Sequence, residues 1–485
     1  MTKSILALLA SATLLSGCNL SPDYVRPAGA VPLTLPEGGI YPPAATDAPD
    51  VSAIGWRDFF LDPRLRAVIE TGLANNRDLR VAAANVLQAR AQLRTQRADL
   101  VPTTSVNAGA TYTNNAAGGA GAGSAAGAGT GVVPGAGVST GSSALDIYSV
   151  TAGFSNFELD LFGRIRNLNR AAQEQVFASE EAQRAARISL IAEIATSWAT
   201  LASDQEQLRL SRETLRTFEE TLRLTREQFR IGVGSELEVR QAETNYQAAR
   251  NDIAAGEIRV AQDQNALNLL AGTTVPAEQL PTRLGAEPVT RDALPAGLSS
   301  EVLLRRPDVL RAEHLLIAEN ANIGAARAAF FPSISLTGLV GTLSLGLSNL
   351  FAGGSYTYTA APSAVLPIFD GGRRSGNLDY ARASQQVAIA TYERTVQTAF
   401  REVADALAQR GRIGEQVSAQ AARANAAEVA ARLSDARFRA GVDSFLTTLD
   451  AQRTAYAAQQ QLVTTRLAQA GNLVELYRSL GGGMN

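Results

Sequence analysis

Apolar side chains recur at intervals of three, four and seven residues along two long stretches of the chain. The first stretch, residues 166–231, contains neither proline nor glycine, and its pattern predicts one uninterrupted helix with a coiled-coil-like seam. At ~1.5 Å per residue this helix would be roughly 100 Å long, several times the span of a compact domain. The second stretch, residues 372–440, predicts another helix of the same kind. Because each stretch ends at a short glycine-containing turn before a further helix, the sequence predicts two helical hairpins.

Shorter helical patterns and four alternating segments accompany these hairpins. Helices are predicted at 62–100, 236–271, 300–331 and 445–480, and strands at 103–113, 147–158, 333–340 and 356–366. In the third strand, Ile334 and Leu336 alternate with polar neighbours, and Leu339 is a third candidate for the apolar face. One face in lipid and one in water would require this alternation.

The two halves of the chain are copies of one unit. The sequence Phe-Arg-Ile-Gly-Val that begins at Phe229 is matched 209 residues later by Phe-Arg-Ala-Gly-Val, which begins at Phe438. At the same interval, the Gly-Arg pair at Gly163 is matched by the Gly-Arg pair at Gly372. The sequence therefore contains two tandem repeats.

Predicted lengths indicate how the short helices combine. Segments 236–271 and 300–331 together are about as long as the first long helix, so we expect them to stack end to end along it. By the same comparison, we expect 445–480 to stack on 62–100 along the second long helix. The segment 272–299 and the chain ends would then form a belt midway along the helices.

The first residues are similar to an export signal. Lys3 precedes a short apolar run, residues 5–15, which is too brief to span a membrane and leads into Ser16-Gly17-Cys18. Small residues before a cysteine resemble a bacterial lipobox, in which the cysteine is acylated after cleavage, and Cys18 is the only cysteine of the chain. The alternative is an ordinary signal peptide with an incidental cysteine. We expect Cys18 to hold the mature chain on a bilayer leaflet, and since the next residue, Asn19, is not the Asp that marks inner-membrane retention in many lipoproteins, outer-membrane lipid is the expected partner.

After this segment, no stretch approaches 18 consecutive apolar residues, so the sequence predicts no membrane-spanning helix. A spanning structure would have to be a closed β-barrel, because an open sheet leaves unpaired edges in hydrocarbon at several kcal/mol per lost hydrogen bond. Two chains of four strands would give eight strands and a filled interior, whereas three would give twelve strands and a lumen. Spacing alone leaves both alternatives open.

Composition and charge exclude several classes of function. The net charge of −2 comes from 44 basic and 46 acidic residues spread along the chain, so no basic block indicates nucleic-acid binding. His314 and Cys18 are the only histidine and cysteine, so neither a zinc-ligand cluster nor a Cys-His pair can be assembled. Walker-type loops are also absent. The sequence predicts no enzyme and no cofactor, and it predicts a structural role for His314.

One face of the helix after the second turn combines an apolar residue with two charges. Leu446, Asp450 and Arg453 follow at steps of four and three, which places them together near the helix tip. The matching positions of the first copy carry no charge: Leu237, Gln241 and Thr244. The charged face could line a pore, although a solvated ion pair is the simpler interpretation of the spacing alone.

Three motifs give the chain a specific resemblance. Residues 303–309 read Leu-Leu-Arg-Arg-Pro-Asp-Val, residues 321–332 read Ala-Asn-Ile-Gly-Ala-Ala-Arg-Ala-Ala-Phe-Phe-Pro, and residues 56–63 read Trp-Arg-Asp-Phe-Phe-Leu-Asp-Pro. They resemble the signatures of the outer membrane factor family, the TolC/OprM-like outer membrane efflux lipoproteins of the NodT subfamily. The resemblance covers nearly the whole chain, and the Gly- and Ala-rich loop at 116–144 is its main departure. It implies a homotrimer with a twelve-stranded transmembrane β-barrel and an all-α coiled periplasmic barrel.

The resemblance also implies site residues and partners. In the family, the positions matching Leu446, Asp450 and Arg453 form the pore gate. The hairpin tips would contact a periplasmic adaptor (membrane fusion) protein through Gly232, Val233, Gly234, Ser235, Gly441, Val442, Asp443 and Ser444. An inner-membrane pump of the resistance-nodulation-division type would supply energy for the passage of drugs or other small molecules. The alternatives are a protein-exporting type I secretion channel and a non-transporting coiled-coil envelope tether, which would have no use for amphipathic strands.

These inferences divide the chain into consecutive segments. They are a signal peptide (1–17), a lipid anchor with an extended linker (18–55), a helix from the equatorial belt (56–102), a first β-hairpin with its loop at 116–144 (103–158), a first long helical hairpin (159–271), an equatorial segment (272–299), a short helix (300–332), a second β-hairpin (333–366), a second long helical hairpin (367–480) and a tail (481–485).

Overall fold

The computed structural model describes residues 19–43, 54–114, 144–284, 290–291 and 299–482. The helices are α1 (Trp56–Phe59), α2 (Pro63–Asn75), α3 (Arg77–Ala98), α4 (Arg164–Arg230), α5 (Glu236–Ala271), α6 (Pro307–Ala328), α7 (Arg373–Arg439) and α8 (Phe445–Ser479). The strands are β1 (Thr104–Asn114), β2 (Ala144–Leu159), β3 (Ser333–Ser344) and β4 (Tyr356–Val365). Short 3-10 helices occupy Ala277–Gln279, Ser300–Arg305 and Leu347–Asn349. The expected lipidation site, Cys18, and nearly all of the loop predicted at 116–144 lie outside the described residues.

The chain forms two compact units, each built from separate parts of the sequence. The first unit contains the sheet and comprises Met1–Val25, Gln88–Val176 and Leu315–Ala388. The second contains both hairpin tips and comprises Arg26–Leu87, Phe177–His314 and Ile389–Asn485. Within the described ranges, no helix combines the length and apolar character needed to cross a membrane.

The four strands form one antiparallel sheet in the order β1-β2-β3-β4. The register places Val106, Ala152, Val340 and Tyr358 in one row across all four strands. The adjacent row contains Asn107, Thr151, Gly341 and Thr357. Because successive residues of a strand point to opposite faces, these rows belong to an apolar face and a polar face.

A β-bulge interrupts the pairing of β2 with β3 between Phe154 and Phe157. At the bulge Asn156 has a φ of 54°, a left-handed conformation that asparagine tolerates better than most residues. The Asn156 amide donates to Thr337 Oγ1 at 3.2 Å. Register also corrects one expectation, because Leu339 pairs with Gly153 and Thr359 on the polar face.

Both copies of the repeat turn at equivalent glycines. Three pairs of glycines, each separated by the repeat interval, have φ angles between 70° and 88°: Gly163 and Gly372, Gly232 and Gly441, and Gly272 and Gly481. Residues with a Cβ rarely adopt this left-handed conformation, so glycine is favoured where the chain must reverse or a helix must end. The repeat seen in the sequence is therefore also a repeat of backbone turns.

A first end-to-end junction joins α5 to α3. Asn76, between α2 and α3, donates from Nδ2 to the carbonyl of Leu270 in the last turn of α5 at 3.0 Å. Its Oδ1 accepts from the Leu79 amide at 2.9 Å and so caps α3. A Cβ at Gly272 would lie 2.5 Å from the carbonyl oxygen of Asn75, so only glycine permits this close approach.

A second junction joins α8 to α6 in the corresponding way. Arg306, immediately before α6, donates from Nη1 to the carbonyl of Ser479 at 2.6 Å. Leu270 and Ser479 are separated by the repeat interval, so the two junctions use equivalent carbonyls. Arg306 is only 5% exposed, and it also pairs with Asp308 at 2.7 Å and with Glu402 at 2.9 Å.

These junctions correct the expected stacking of the short helices. Segment 236–271 was expected to continue into 300–331, and 445–480 into 62–100. Instead α5 (36 residues) meets α3 (22 residues), and α8 (35 residues) meets α6 (22 residues). Combined lengths were similar for either pairing, so length could not distinguish them.

Two predicted helices are also shorter than expected. The helix predicted at 300–331 is a 3-10 helix followed by α6, because a residue before proline, here Arg306, disfavours the α conformation. The helix predicted at 62–100 is divided at Asn76, which has an extended ψ of 135°. Both divisions lie at the junctions described above.

Aromatic residues form a core beside these junctions. Phe59 stacks on Tyr477 with ring centroids 4.1 Å apart, and Tyr477 donates from its hydroxyl to the Ile54 carbonyl at 3.0 Å. Trp198 of α4 donates from its indole to the Gln279 carbonyl at 3.2 Å. In the core of the second unit, α4 and the end of α8 therefore pack against two irregular segments, one at Ile54 and one at Gln279.

Candidate functional site

Leu446, Asp450 and Arg453 lie on an exposed face of α8, as their spacing predicts. Leu446 is 62% exposed, although it is a large apolar residue. Phe445 and Leu449, on the other side of the same helix, are buried. The helix thus packs through one side and presents an apolar residue and two charges on the other.

The two charges of this face have no partner within the described part of a single chain. Neither Asp450 nor Arg453 forms an ion pair or a side-chain hydrogen bond there. The solvated ion pair considered from the spacing is therefore not formed inside one chain. Both groups remain available to another copy.

The first repeat offers an uncharged counterpart to this face. Leu237 is 66% exposed, close to the exposure of Leu446, and Thr244 is also exposed. Gln241 is half-buried. The two repeats therefore share an exposed leucine in the first helical turn after the tip but differ in charge at the next positions of that face.

The tips of the two hairpins have the same backbone. In the first tip, the Val233 amide donates to the Gln228 carbonyl at 3.0 Å, and in the second the Val442 amide donates to the Arg437 carbonyl at 2.9 Å. Gly232 and Gly441 supply the left-handed residue of each turn. Each tip therefore places an exposed valine at the end of a long helix.

The residues after the valines close the turns in different ways. Ser235 and Glu238 form a reciprocal capping box, in which Ser235 Oγ accepts from the Glu238 amide and Glu238 accepts from the Ser235 amide. Ser444 caps α8 by accepting from the Thr447 amide at 3.2 Å. Asp443 forms two 2.8 Å bonds with Arg437, which lower the pKa of Asp443. Gly234 stands at the position that Asp443 occupies in the second tip, so the tips differ in charge.

The sheet presents two open edges. Among the described residues, β1 pairs only with β2, and β4 pairs only with β3. Val106 on β1 and Tyr358 on β4 are each 74% exposed on the apolar face. Unpaired edges and an exposed apolar face indicate a surface that is covered in the assembled protein.

The described residues after Cys18 are fastened to the helices. In the first unit, the Pro22 carbonyl accepts from Asn320 Nδ2 at 2.7 Å. In the second unit, Arg26 forms two 2.8 Å bonds with Glu313. The sequence predicted an extended linker here, and its contacts were missed because residues 19–43 have no periodicity.

His314 packs within the second unit. Its ring lies 5.3 Å from the ring of Phe177. Burial raises the pKa of the nearby Glu181, against the opposing effects of Arg184 and His314. Throughout the described ranges, no group of three or more histidine, cysteine or acidic residues could hold a metal ion.

Exposed helical tips and an open-edged, two-faced sheet define a channel-forming subunit of the outer membrane. The chain belongs to the outer membrane efflux protein family, whose model matches residues 68–273 and 298–482. This finding confirms the resemblance that the motifs indicated. It also confirms efflux as the class of function and the outer membrane as the location.

Relatives cover nearly the full length of the chain. The toluene efflux pump outer membrane protein TtgC of Pseudomonas putida is 46% identical over 487 residues, covering 100% of this chain and 96% of that protein. A solved membrane protein from Pseudomonas aeruginosa has a TM-score of 0.85 at 37% identity, covering 96% of this chain and 98% of its own. The open state of the Neisseria gonorrhoeae MtrE outer membrane channel has a TM-score of 0.82 at 37% identity, covering 96% and 99%.

Proposed function

We propose that three copies of this chain form a gated conduit for drugs or other small molecules, working with a periplasmic adaptor and an inner-membrane pump of the resistance-nodulation-division type. The observation that carries the proposal is the four-stranded sheet, which has one apolar face, one polar face and two open edges. A non-transporting coiled-coil tether would have no use for a sheet with open edges and with one apolar and one polar face.

Closure of the sheet requires further copies of the chain. β1 and β4 run antiparallel to one another in a four-stranded antiparallel sheet, so β4 of one copy can continue the antiparallel pattern with β1 of the next. Three copies would supply twelve strands, enough for a barrel with a lumen, whereas the eight strands of two copies would enclose only side chains. The apolar face would then meet lipid, and the polar face would line water.

The conduit would be closed at the exposed face of α8. Repeated around a threefold axis, Leu446 would form an apolar ring, and Asp450 and Arg453 would find partners on neighbouring chains. Exposed ion pairs contribute about 0.2–1 kcal/mol each, so three copies would contribute up to about 3 kcal/mol. A gate held this weakly can be opened by a partner that binds the open state more tightly. A switch from 1:99 to 99:1 needs about 5.5 kcal/mol of such preference.

The hairpin tips would receive the adaptor. Their shared backbone presents Val233 and Val442 in the same way, which would let similar adaptor segments contact both tips. The Asp443–Arg437 pair is present only in the second tip and would distinguish the two contacts. Lipidation at Cys18, together with the fastened residues that follow it, would hold the channel on the outer membrane.

In this proposal the inner-membrane pump selects the cargo, and the lumen of the channel does not. Toluene appears in the name of TtgC and supports a small-molecule cargo over a protein cargo for this chain.

The experiment is to purify the full lipidated chain, weigh it by native mass spectrometry and record it in planar bilayers. We expect a complex of three copies that gives discrete conductance steps. A complex of two copies, or a chain that never conducts, would contradict the proposal, and the second result would favour the tether.

A further inference from the structure

The packed side of α8 carries polar side chains at every fourth residue. Thr448 Oγ1 lies 3.2 Å from Ser434 Oγ on α7, within the second hairpin. Gln452 Nε2 lies 3.4 Å from Thr221 Oγ1 on α4, which belongs to the first hairpin. Tyr456 is the next member of this series. These contacts run along the packed side of α8, and at Tyr456 this side adjoins the exposed face of Leu446, Asp450 and Arg453.

The hydroxyl of Tyr456 joins three helices. It donates to Asp252 Oδ2 on α5 at 3.1 Å and lies 2.8 Å from Ser211 Oγ on α4. Ser211 is buried, and Tyr456 and Asp252 are half-buried. A single side chain of the second hairpin is thereby bonded to both helices of the first.

We propose that Tyr456 is a positioning residue for the gate, a latch whose bonds to Asp252 and Ser211 hold α8 in the rotation that directs Leu446, Asp450 and Arg453 into the conduit. The proposal rests on the proposed function, since it presupposes a gate on α8. It assigns control of that gate to residues outside the hairpin tips and outside the exposed face itself.

Position along the helix supports a direct effect on the gate. Arg453 precedes Tyr456 by three residues, or ~4.5 Å along the axis, so the two belong to the same helical turn. A rotation of α8 that breaks the Tyr456 bonds would turn Arg453 by the same angle. Loss of the latch would therefore displace Arg453, in the charged part of the gate, before it displaces Leu446.

One apolar contact between the hairpins near the tips is less restrictive. It is a cluster of Leu222, Ala242, Phe445 and Leu449, with Val239, Tyr246 and Phe438 around it, and the Gln452–Thr221 contact lies next to it. Apolar contacts have no preferred direction, so this cluster can tolerate a small rotation of α8. Hydrogen bonds weaken steeply away from their preferred geometry, so the Tyr456 bonds resist the same rotation.

The Tyr456 hydroxyl remains a hydrogen-bond donor throughout the physiological pH range. Burial, together with the charge of Asp252, raises the pKa of Tyr456 to about 12, so the hydroxyl stays protonated and can donate at any physiological pH. The acceptor is a carboxylate, and hydrogen bonds to charged acceptors are roughly twice as strong as neutral ones.

The test is Tyr456→Phe, which removes the hydroxyl and keeps the ring. We expect the resting conductance of the full channel in planar bilayers to rise by at least about tenfold, because the hydrogen bond to the Asp252 carboxylate is lost together with the contact to Ser211. Tyr246→Phe is the matched control, because this half-buried tyrosine of the same hairpin contact forms no side-chain hydrogen bond in the described chain. It should leave the conductance unchanged.

Substitutions of the acceptor separate positioning from packing. Asp252→Ala should reproduce most of the leak of Tyr456→Phe, since only the contact to Ser211 remains, whereas Asp252→Asn keeps an oxygen that accepts from the hydroxyl and should restore most of the closure. The Tyr456→Phe/Asp252→Ala double variant should leak no more than Tyr456→Phe alone.

The outcomes distinguish the latch from the channel. A tight Tyr456→Phe channel, or a leak from Tyr246→Phe of the same size, would overturn the latch while the wild-type conductance still stands. Additive leaks in the double variant would also overturn it. An absence of conductance from the wild type would instead overturn the proposed function.

Discussion

Arg306 and Ser479 meet across a break between two helices: the guanidinium donates to the backbone carbonyl at 2.6 Å, and α8 ends where α6 begins. The same guanidinium pairs with Asp308 and Glu402, and Arg478 reaches Glu402 at 3.2 Å. A buried charge therefore satisfies the end of one helix and fixes the start of another.

Replacement of this arginine should destabilise the second unit. Arg306→Met leaves the Ser479 carbonyl without its side-chain donor and Glu402 with one partner fewer. Loss of a buried charged partner costs about 3 kcal/mol, and we expect the apparent Tm of the detergent-solubilised channel to fall by about 5 °C. Arg305→Met, at the exposed neighbouring position, is the control. Equal melting of both variants would show that the junction contributes little.

An acidic pair between α4 and α5 should make stability depend on pH. Burial, reinforced by the adjacent Asp204, raises the pKa of Asp263 to about 6, although Arg259 opposes the shift. Because the folded pKa lies above the unfolded value of about 3.9, this group's contribution to stability is present at low pH and is lost as pH rises through about 6.

Asp263→Asn should remove this dependence. The amide is neutral at every pH, so we expect a higher apparent Tm than wild type at pH 7.5, by about 1–3 °C, and no advantage at pH 4. Asp405→Asn, at an exposed position, should behave as wild type at both values. Parallel melting curves for wild type and Asp263→Asn across this range would refute the shared burial of the pair.

The gate should leak without its charges. Combined substitution of Asp450→Ala and Arg453→Ala removes the ion pairs expected between neighbouring chains, so the resting conductance in planar bilayers should rise. Gln241→Ala with Thr244→Ala changes the equivalent uncharged positions of the first repeat and should have a smaller effect. Conductance equal to that of wild type would count against a gate at this face.

The tips should be required for efflux but not for folding. Val442→Asp together with Gly441→Ala alters an exposed turn, where a Cβ at Gly441 would meet no atom within 4 Å but would strain a φ of 74° by about 1 kcal/mol. We expect normal assembly, measured by native mass spectrometry, and loss of efflux in cells that contain the cognate pump and adaptor. Full efflux by this variant would place adaptor contact elsewhere.

Periodic parts of the fold could be predicted from the sequence, and the contacts between them could not. The pattern predicts a helix at 166–231, and α4 spans Arg164–Arg230. The prediction succeeds because the apolar residues of a long amphipathic helix recur with the helical period. The stacking partners of α5 and α8 depended on two side chains, Asn76 and Arg306, whose contacts are far away in sequence. Residues at helix ends carry no periodic signal.

The candidate site divides in the same way. The spacing of Leu446, Asp450 and Arg453 predicts a common face, and the structure places all three on one exposed face. Tyr456 was missed because half-buried polar residues on a packed helix face resemble ordinary helix-contact positions in the sequence. Only the positions of Asp252 and Ser211 in space reveal what its hydroxyl does.

At the two junctions, the end of each repeat contacts the first part of the same repeat. In the first repeat α5 ends on α3, and in the second α8 ends on α6, so each half contains a strand hairpin, a long helix and a closed pair of short helices. The two ends of each half therefore lie side by side, although β2 of the first half pairs with β3 of the second and both halves contribute to each compact unit. A half-length ancestor of this design would have needed six subunits, rather than three, to complete the same twelve strands.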